Sequence, residues 1–310
     1  MIKTSGLNDC SYKETSVALG CFDGLHLGHK KVITQAVELS GENLCPTVFT
    51  FSNIPEVKLK GKHPSNLLTI EDKLEILDTW GVRQVYQVKF SDIMDFSPEE
   101  FIAKILKENL KAKKVFCGFN YRFGKDGKGD TRLLIKLCKA NGIEPYIVNP
   151  VRVDNINVSS TVIREYIKNG NVKKAKNMLG RYFSLNFVIV EGKRLGRKIG
   201  TPTLNQWLPE DFIMPKFGVY ASTTHIGENI YCSVTNIGTN PTTKDGFPKA
   251  ETWVPEYIGK DLYGKKIKVD LIEYLREEKK FSNLNELKSA VINDAEISKN
   301  ITKKKNVSYK

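Results

Sequence analysis

Two histidines near the start of the chain are the first residues whose types and spacing could do chemistry. His26 and His29 follow a short apolar run, residues 17–19, that leads into a glycine-containing turn. A strand that ends in such a turn and enters a helix directs backbone N–H groups and the positive end of the helix dipole at one point, which favours an anion. Imidazoles three residues apart share one helical face, so both can donate to one polyphosphate. The stretch predicts a phosphate site that includes Gly20, Phe22, Asp23, His26 and His29.

Two other interpretations of this stretch stay open at the level of single residues. A glycine turn after a strand can be a purely structural βα connection, because short motifs match by chance. Histidine is also a common zinc ligand. The chain has 4 histidines, no His-Glu-x-x-His motif and no Cys-x-x-Cys pair, so the sequence offers no complete tetrahedral zinc set.

Two later segments could complete a phosphate site. Gly118 and Asn120 follow another apolar run, in the pattern of a strand that ends in glycine. Further on, two serines, a threonine and an arginine stand at the start of a predicted helix, where hydroxyls, helix N–H groups and a guanidinium can grip phosphate together. Taken alone, the hydroxyls could merely cap the helix and the arginine could be a surface charge. The four residues are Ser159, Ser160, Thr161 and Arg164.

The elements that must position these residues alternate between strand and helix through the first half of the chain. Capping patterns mark two helix starts, Thr69 with acidic residues in the first turn and Ser97 with Pro98 at the first helical position. This alternation predicts a doubly wound, mainly parallel sheet, in which ligands bind beyond the carboxyl ends of the strands. The predicted strands are 47–51, 84–88, 115–118 and 145–148, and the predicted helices are 29–39, 70–77, 98–110, 131–140, 161–168 and 172–179.

From residue 183 onward the pattern changes to period-two runs separated by glycine and proline. Runs at 187–190, 219–222 and 267–271 predict a small antiparallel β-barrel, and a helix over 284–297 is expected to cover it. We therefore expect two domains, 1–182 and 183–310, which also suits a chain of 310 residues.

Composition narrows the class of protein further. The N-terminus lacks an apolar signal region and no stretch is long enough to cross a bilayer, so we expect a cytoplasmic protein without membrane partners. The 6 scattered cysteines predict reduced, mostly buried thiols. A net charge of +13 is compatible with nucleic acid, but small anionic ligands explain it equally well, because the basic residues are spread along the chain. We therefore expect no nucleic-acid partner.

The order of motifs resembles that of the bacterial bifunctional riboflavin kinase/FMN adenylyltransferase (FAD synthetase) family. The histidine turn with Gly118–Gly124 and Val158–Arg164 looks like the family's nucleotidyltransferase module. The run 192–205, the Phe-Gly-Val-Tyr at 217–220, the Asn-Ile-Gly-Thr at 236–239, Glu251 and the Asp-Leu-Tyr-Gly at 261–264 look like its kinase module. The resemblance spans nearly the whole chain and implies that riboflavin is phosphorylated to FMN and FMN is adenylylated to FAD, with ATP and Mg²⁺.

The resemblance also implies roles for individual residues. In the first module, His26 and His29 would hold the ATP phosphates with Ser159, Ser160, Thr161 and Arg164, and Asn120 would lie close to the reacting groups. In the second, Thr203 and Asn205 would hold Mg²⁺, and Glu251 would be the base on the ribityl hydroxyl of riboflavin. The remaining nucleotide- and flavin-binding positions implied are Gly20, Phe22, Asp23 and Gly118 in the first module and Gly192, Lys193, Gly200, Thr201, Pro202, Asn236 and Arg276 in the second.

The chain departs from the family pattern at several positions, including residues 52–55, Thr201, Asn240 and Trp253. These departures bear on substrate affinity more than on reaction type. Two rival functions follow from the residues: a nucleotidyltransferase for another phosphorylated acceptor, and a nucleic-acid-binding protein with degenerate sites. A variant with one active module is a third. The oligomeric state is left open.

Overall fold

The structure is a computed structural model that describes residues 3–6, 13–52, 65–192, 196, 200–239 and 248–304. The chain divides into two compact units, Met1–Ser160 and Thr161–Lys310. Lys193, Asn240 and residues 53–55, which the sequence singles out, lie outside the described residues. The domain boundary expected at residue 182 stays a prediction.

The first unit is built on a six-stranded sheet whose pairs are all parallel. Its strands lie in the order β1-β4-β3-β2-β5-β6, so the chain runs to one side of β2 and then returns to the other. The place where β2 meets β5 is the switch point at which open α/β sheets bind ligands. The strands are β1 Lys3–Ser5, β2 Thr15–Leu19, β3 Cys45–Phe51, β4 Gln84–Val88, β5 Ala112–Gly118 and β6 Glu144–Val148.

Helices cover both faces of this sheet and confirm the predicted doubly wound fold. Alternate residues of β2 enter two different cores: Val17 and Leu19 join one buried cluster and Ala18 joins the other. A strand that is buried on both faces reads as a continuous apolar run, which is the pattern seen in the sequence. The helices are α1 Leu27–Glu38, α2 Ile70–Thr79, α3 Phe90–Ile93, α4 Pro98–Glu100 and α5 Thr131–Ala140, and a short hairpin, β7 Arg152–Val153 and β8 Ile156–Asn157, follows β6.

The helix predicted over 98–110 differs from expectation in one respect. Ser97 and Glu100 form the full reciprocal capping box, but after α4 the chain continues as a π-helix, Phe101–Asn109. A π-helix has more residues per turn than an α-helix. Its four buried side chains therefore spread over a smaller angle around the helix axis than they would in an α-helix; they are Phe101, Ile102, Ile105 and Leu106. The capping pattern predicted the start of this helix correctly and the helix type of residues 101–109 wrongly.

The second unit is a closed six-stranded antiparallel barrel, in agreement with the sequence. Its strands follow each other around the barrel in the order β10-β13-β12-β11-β14-β9. The last helix packs against β11 and β12 and extends beyond the predicted end. The elements of this part of the chain are α6 Ser160–Lys168, α7 Val172–Leu179, β9 Phe183–Val190, β10 Thr203–Trp207, β11 Gly218–Ile226, β12 Asn229–Thr239, β13 Pro248–Trp253, β14 Lys266–Arg276 and α8 Leu284–Lys304.

Alternate residues of β13 separate the inside of the barrel from its outer face. Ala250 and Thr252 are fully buried, whereas Lys249, Glu251 and Trp253 lie on the opposite face. Hydroxyl groups fill part of the interior and bond to one another at 2.8–2.9 Å, so these polar groups are satisfied. They belong to Ser222, Thr224, Ser233, Thr235 and Thr252.

Candidate functional site

The turn that follows β2 holds an unusual backbone conformation. Phe22, Gly24 and Leu25 have positive φ angles of 48°, 75° and 41°. Such conformations cost free energy in non-glycine residues and persist only where the surroundings enforce them. The φ of Gly24 favours glycine, and a Cβ there would also lie 2.6 Å from Leu67 Cδ1, so this leucine side chain would have to move. Strain concentrated in a few residues beyond a strand is typical of a functional site.

Asp23 is fixed in this turn from two directions. Its Oδ1 accepts a hydrogen bond from the Leu67 backbone N–H at 3.1 Å, and its carbonyl oxygen accepts one from Ser160 Oγ at 2.9 Å. Ser160 is thus brought to the histidine turn across 137 residues of sequence. The predicted convergence of these two motifs is observed for this serine.

The Cys21 carbonyl oxygen is the second fastening point of the turn. Thr50 Oγ1 donates to it at 2.8 Å and Lys73 Nζ at 2.9 Å. Neither Thr50 nor Lys73 belongs to a motif found in the sequence, and only the position of Thr50 at the end of a buried strand could have pointed to it. Burial raises the pKa of the Cys21 thiol to about 11 and lowers the pKa of Lys73 to about 8.

His26 and His29 lie side by side at the start of α1. His26 is the N-cap, with extended backbone angles, and its Nδ1 accepts the His29 backbone N–H at 3.2 Å. The imidazole rings stack at a centroid distance of 3.5 Å. Because Nδ1 is an acceptor, the hydrogen of a neutral His26 ring resides on Nε2. The expected pairing is therefore observed, although His26 precedes the helix instead of lying on its face.

The glycine-ended strand β5 brings its own candidates to the same edge of the sheet. Leu19 at the end of β2 is paired with Cys117, so the histidine turn and Gly118 leave neighbouring strands at the switch point. A Cβ on Gly118 would lie 3.4 Å from Asn120 Oδ1, which shows that the Asn120 side chain folds back over this glycine. Gly20 is similarly restricted, because a Cβ there would lie 3.0 Å from the Phe22 ring.

The other predicted members of the phosphate grip are placed only in part. Ser159 is half-buried and directly precedes Ser160, in the first unit. Thr161 and Arg164 lie on α6 in the second unit, and their part in the grip stays a prediction.

On the outer face of the barrel, three candidate kinase residues form a row across adjacent strands. Asn205 of β10 is directly opposite Glu251 of β13, and Glu251 is directly opposite Asn236 of β12. Residues paired in this way have Cβ atoms about 4.5–5.5 Å apart on the same face of the sheet. The structure thus brings together three polar side chains from positions 205, 236 and 251 of the sequence.

Asn205 is largely buried, with 7% of its surface exposed. Its Nδ2 donates to the Thr203 carbonyl at 3.2 Å, so its Oδ1 is the side-chain atom available as a ligand. A Cβ on Gly192 would lie 2.6–2.8 Å from the Asn205 amide group, so a larger residue there would displace this side chain. Thr201 is buried.

Two further charged residues contact this row. Lys249, which is 8% exposed, forms an ion pair with Glu251, and Glu278 accepts a hydrogen bond from Asn236 Nδ2 at 3.0 Å. The sequence interpretation missed Lys249, although its spacing of two residues from Glu251 on a strand puts both on one face.

Arg276 is held by α8. Its guanidinium contacts the nearly buried Asp294 carboxylate through Nε at 3.1 and 3.2 Å and Nη2 at 2.7 Å. Its Nη1 donates to the Glu277 carbonyl at 3.0 Å. In the structure this arginine therefore joins β14 to α8, and its predicted contact with substrate stays a prediction.

Two family models match this chain, one in each module. Residues 9–162 match the model of the FAD synthetase family and residues 179–302 match that of the riboflavin kinase family. A Bacillus subtilis bifunctional riboflavin kinase/FMN adenylyltransferase is 32% identical over 285 residues, which is 90% of this chain and 89% of the relative. The chain belongs to the bifunctional riboflavin kinase/FMN adenylyltransferase family. The Escherichia coli K12 family member is also 32% identical, over 90% of each chain.

Structural comparison supports the same extent of similarity. A crystal structure from Streptococcus pneumoniae, described as a macrolide-efflux protein, superposes with a TM-score of 0.86 at 30% identity and covers 96% of this chain and 99% of that one. Among the residues that the structure describes, no helix is long and apolar enough to span a membrane.

Proposed function

We propose that the turn after β2 is the site where FMN is adenylylated. One oxygen of the FMN phosphate attacks the α-phosphorus of ATP, a new P–O bond forms, and the α–β bridging oxygen leaves with pyrophosphate. The observation that carries this assignment is the stacked imidazole pair at the start of α1, beside the switch point of the sheet. Donors of this kind stabilise charge on the transferring group, and no protein nucleophile is needed.

The row on the barrel is the proposed kinase site. Riboflavin presents a neutral ribityl hydroxyl, so its attack on the γ-phosphorus of ATP needs a base to take the proton, and Glu251 is the carboxylate in the row. FMN then forms as the bond to ADP breaks. The charge of Glu251 is already compensated by Lys249 before substrate arrives.

The residues present fit a Mg²⁺ ion at this site. Mg²⁺ prefers hard oxygen ligands and keeps several waters, so the Thr203 hydroxyl and Asn205 Oδ1 are adequate protein ligands alongside ATP phosphates. The bond from Asn205 Nδ2 to the Thr203 carbonyl supports this, because it commits the amide nitrogen and leaves the oxygen as the ligand. When bound, the ion neutralises phosphate charge.

The substrates we propose are ATP, riboflavin and FMN, with the adenylyltransferase over 1–182 and the kinase over 183–310. The 5 cysteines that the structure describes are unpaired thiols, which supports a reducing, cytoplasmic location.

The test is a turnover assay on the full chain with two single variants. Wild-type protein is incubated with riboflavin, ATP and Mg²⁺, and the flavins are separated by chromatography; we expect FMN and then FAD. His29→Ala should abolish FAD formation and leave FMN formation intact. Glu251→Gln should abolish FMN formation from riboflavin and leave FAD formation from added FMN intact. Each loss should be roughly 10²–10⁴-fold.

Each variant carries its own control, because the activity that it retains shows that the chain is folded. Equal loss of both activities in either variant would contradict two separate sites. Absence of any flavin product from wild-type protein would contradict the proposed function as a whole.

A further inference from the structure

We propose that Lys73 is a positioning residue of the adenylyl-transfer site, where its ammonium group fastens the turn after β2 and offsets the charge of Asp23. The inference rests on the proposed assignment of this turn as the ATP site. Lys73 lies 52 residues after Cys21 in the sequence and outside every motif of the nucleotidyltransferase module.

The ammonium group joins three elements of the first unit. From α2, Lys73 Nζ donates to Thr50 Oγ1 at the end of β3 at 2.8 Å and to the Cys21 carbonyl in the turn at 2.9 Å. Thr50 Oγ1 in turn donates to the same carbonyl at 2.8 Å, and Thr50 is fully buried. The three groups therefore close a hydrogen-bonded triangle, and a charged donor makes its bonds stronger than neutral ones.

The fastening bears on His29, which is proposed to bind the ATP phosphates. The peptide held by Lys73 directly precedes Phe22, the first of three residues with positive φ, and the Phe22 ring packs edge-on against the His29 imidazole at 5.3 Å. A strained turn relaxes when its surroundings no longer enforce it. Loss of Lys73 is therefore expected to displace the Phe22 ring and the imidazole that packs on it.

The charge of Lys73 has a second consequence at a site for polyphosphate. Asp23 contributes a carboxylate to the turn, and like charges repel ATP. Attraction between Asp23 and Lys73 counteracts the loss of charge that burial imposes on the lysine. An ammonium group here offsets the acidic residue of an anion site.

The same pair gives the site a pH dependence with a defined sign. Burial lowers the pKa of Lys73 from 10.5 to about 8, with Asp23 and Cys21 acting in the opposite direction. The groups that face it are the Asp23 carboxylate and Cys21 thiol of the turn and the uncharged Thr50 of β3. Because the pKa of Cys21 is about 11, the thiol stays neutral while Lys73 loses its proton. FAD synthesis should therefore weaken as pH rises through about 8.

The experiment measures FAD formation from FMN by the full chain against pH and ATP concentration, for wild type, Lys73→Met and Lys73→Arg. Lys73→Met should raise the KM for ATP on the order of tenfold at neutral pH. Lys73→Arg should keep the wild-type KM for ATP at neutral pH. Its FAD synthesis should not weaken at alkaline pH, because a guanidinium stays charged. The matched control is Lys104→Met, an exposed lysine of the same unit, which should behave as wild type. FMN formation from riboflavin should be unchanged in all chains.

Two results would overturn the role of Lys73: a wild-type KM for ATP in Lys73→Met, or a loss of FAD synthesis at alkaline pH that persists in Lys73→Arg. Either result would do so even where His29→Ala abolishes FAD synthesis. FAD synthesis that survives His29→Ala would instead overturn the ATP site itself. If Lys73→Met does not fold, the pH profiles of wild type and Lys73→Arg decide the question. Thr50→Val supplies a second variant, which should raise the KM for ATP while Thr50→Ser does not.

Discussion

The two candidate sites differ in what positions their functional groups. In the first unit the two imidazoles are held by a backbone structure: a turn with three positive φ angles, fastened through the Cys21 and Asp23 carbonyls, that leads into a helix N-terminus. In the barrel the site is a row of side chains, Asn205, Glu251 and Asn236, on strands whose backbone is regular. The first depends on how the chain bends and the second on which side chains stand in register.

This difference predicts different sensitivities. A site made of backbone tolerates changes of exposed side chains but fails when a glycine that permits its bend is replaced. A site made of side chains in a ladder should lose function when one member is truncated, because the strands keep their positions and leave the gap in place. The following substitutions test this contrast in order of decreasing effect.

Among these substitutions, the largest effect is expected for truncation within the row. Asn205→Ala removes the amide oxygen proposed as a Mg²⁺ ligand, and we expect riboflavin phosphorylation to fall roughly 10²–10³-fold while FAD formation from FMN is unchanged. Asn229→Ala, at the start of β12 and at the far end of the β11–β12 hairpin from Asn236, is the matched control and should keep both activities. An Asn205→Ala chain with full kinase activity would remove this residue from the site.

A smaller effect is expected from the turn. Gly24→Ala adds a Cβ that is strained at a φ of 75° and would lie 2.6 Å from Leu67 Cδ1, so we expect the turn to shift together with the leucine side chain. Misplacement of a reacting group by about 1 Å can cost about 10²-fold in rate, and we expect a loss of that order in FAD formation with FMN formation intact.

Gly41→Ala is the control for this substitution, because Gly41 has a φ of 59° and open space around its Cβ position. It should reduce the free energy of unfolding by about 1 kcal/mol and leave FAD formation unchanged. If both variants lose FAD formation alike, general loss of stability explains the result and the turn has no special role.

More of the first site than of the second could be predicted from the sequence, because the two sites depend on different features of a sheet. A parallel sheet gathers strand ends at one edge, so His26, Gly118 and Ser160 were expected to converge. Register between β10, β13 and β12 depends on long-range pairing, which local pattern does not contain. The row could therefore be inferred only through resemblance to a family.

The sequence did not predict the residues whose roles depend on contacts with distant parts of the chain. Lys73 is an ordinary residue on a polar helix until the fold brings its ammonium group to Cys21 and Thr50. Lys249 gives the opposite lesson, since its spacing from Glu251 was visible and its importance was not. The π-helix follows a capping box that begins an α-helix equally well, so the residues around Ser97 could not distinguish the two helix types.

An intermediate effect should arise where the barrel site does rely on backbone. Gly192→Ala would bring a Cβ to 2.6–2.8 Å from the Asn205 side chain, a group with room to rotate only if its bond to the Thr203 carbonyl breaks. We expect about a tenfold loss of kinase turnover, smaller than for Asn205→Ala because the amide oxygen is displaced and not removed. Gly227→Ala, in an open turn of the same unit, should retain turnover. Equal losses in the Gly192 and Asn205 variants would mean that position, and not the ligand atom, limits the site.

The smallest effect tests whether activity can be separated from stability within the first unit. Ser97→Ala removes the hydroxyl of the reciprocal capping box at the start of α4, and it should lower the free energy of unfolding by about 1 kcal/mol in a denaturant titration. Both activities should stay at wild-type level, because this cap belongs to neither site. Loss of FAD formation in this variant would show that the turn after β2 responds to the stability of the whole unit, and the distinction between a locally fastened turn and a register-built row would then fail.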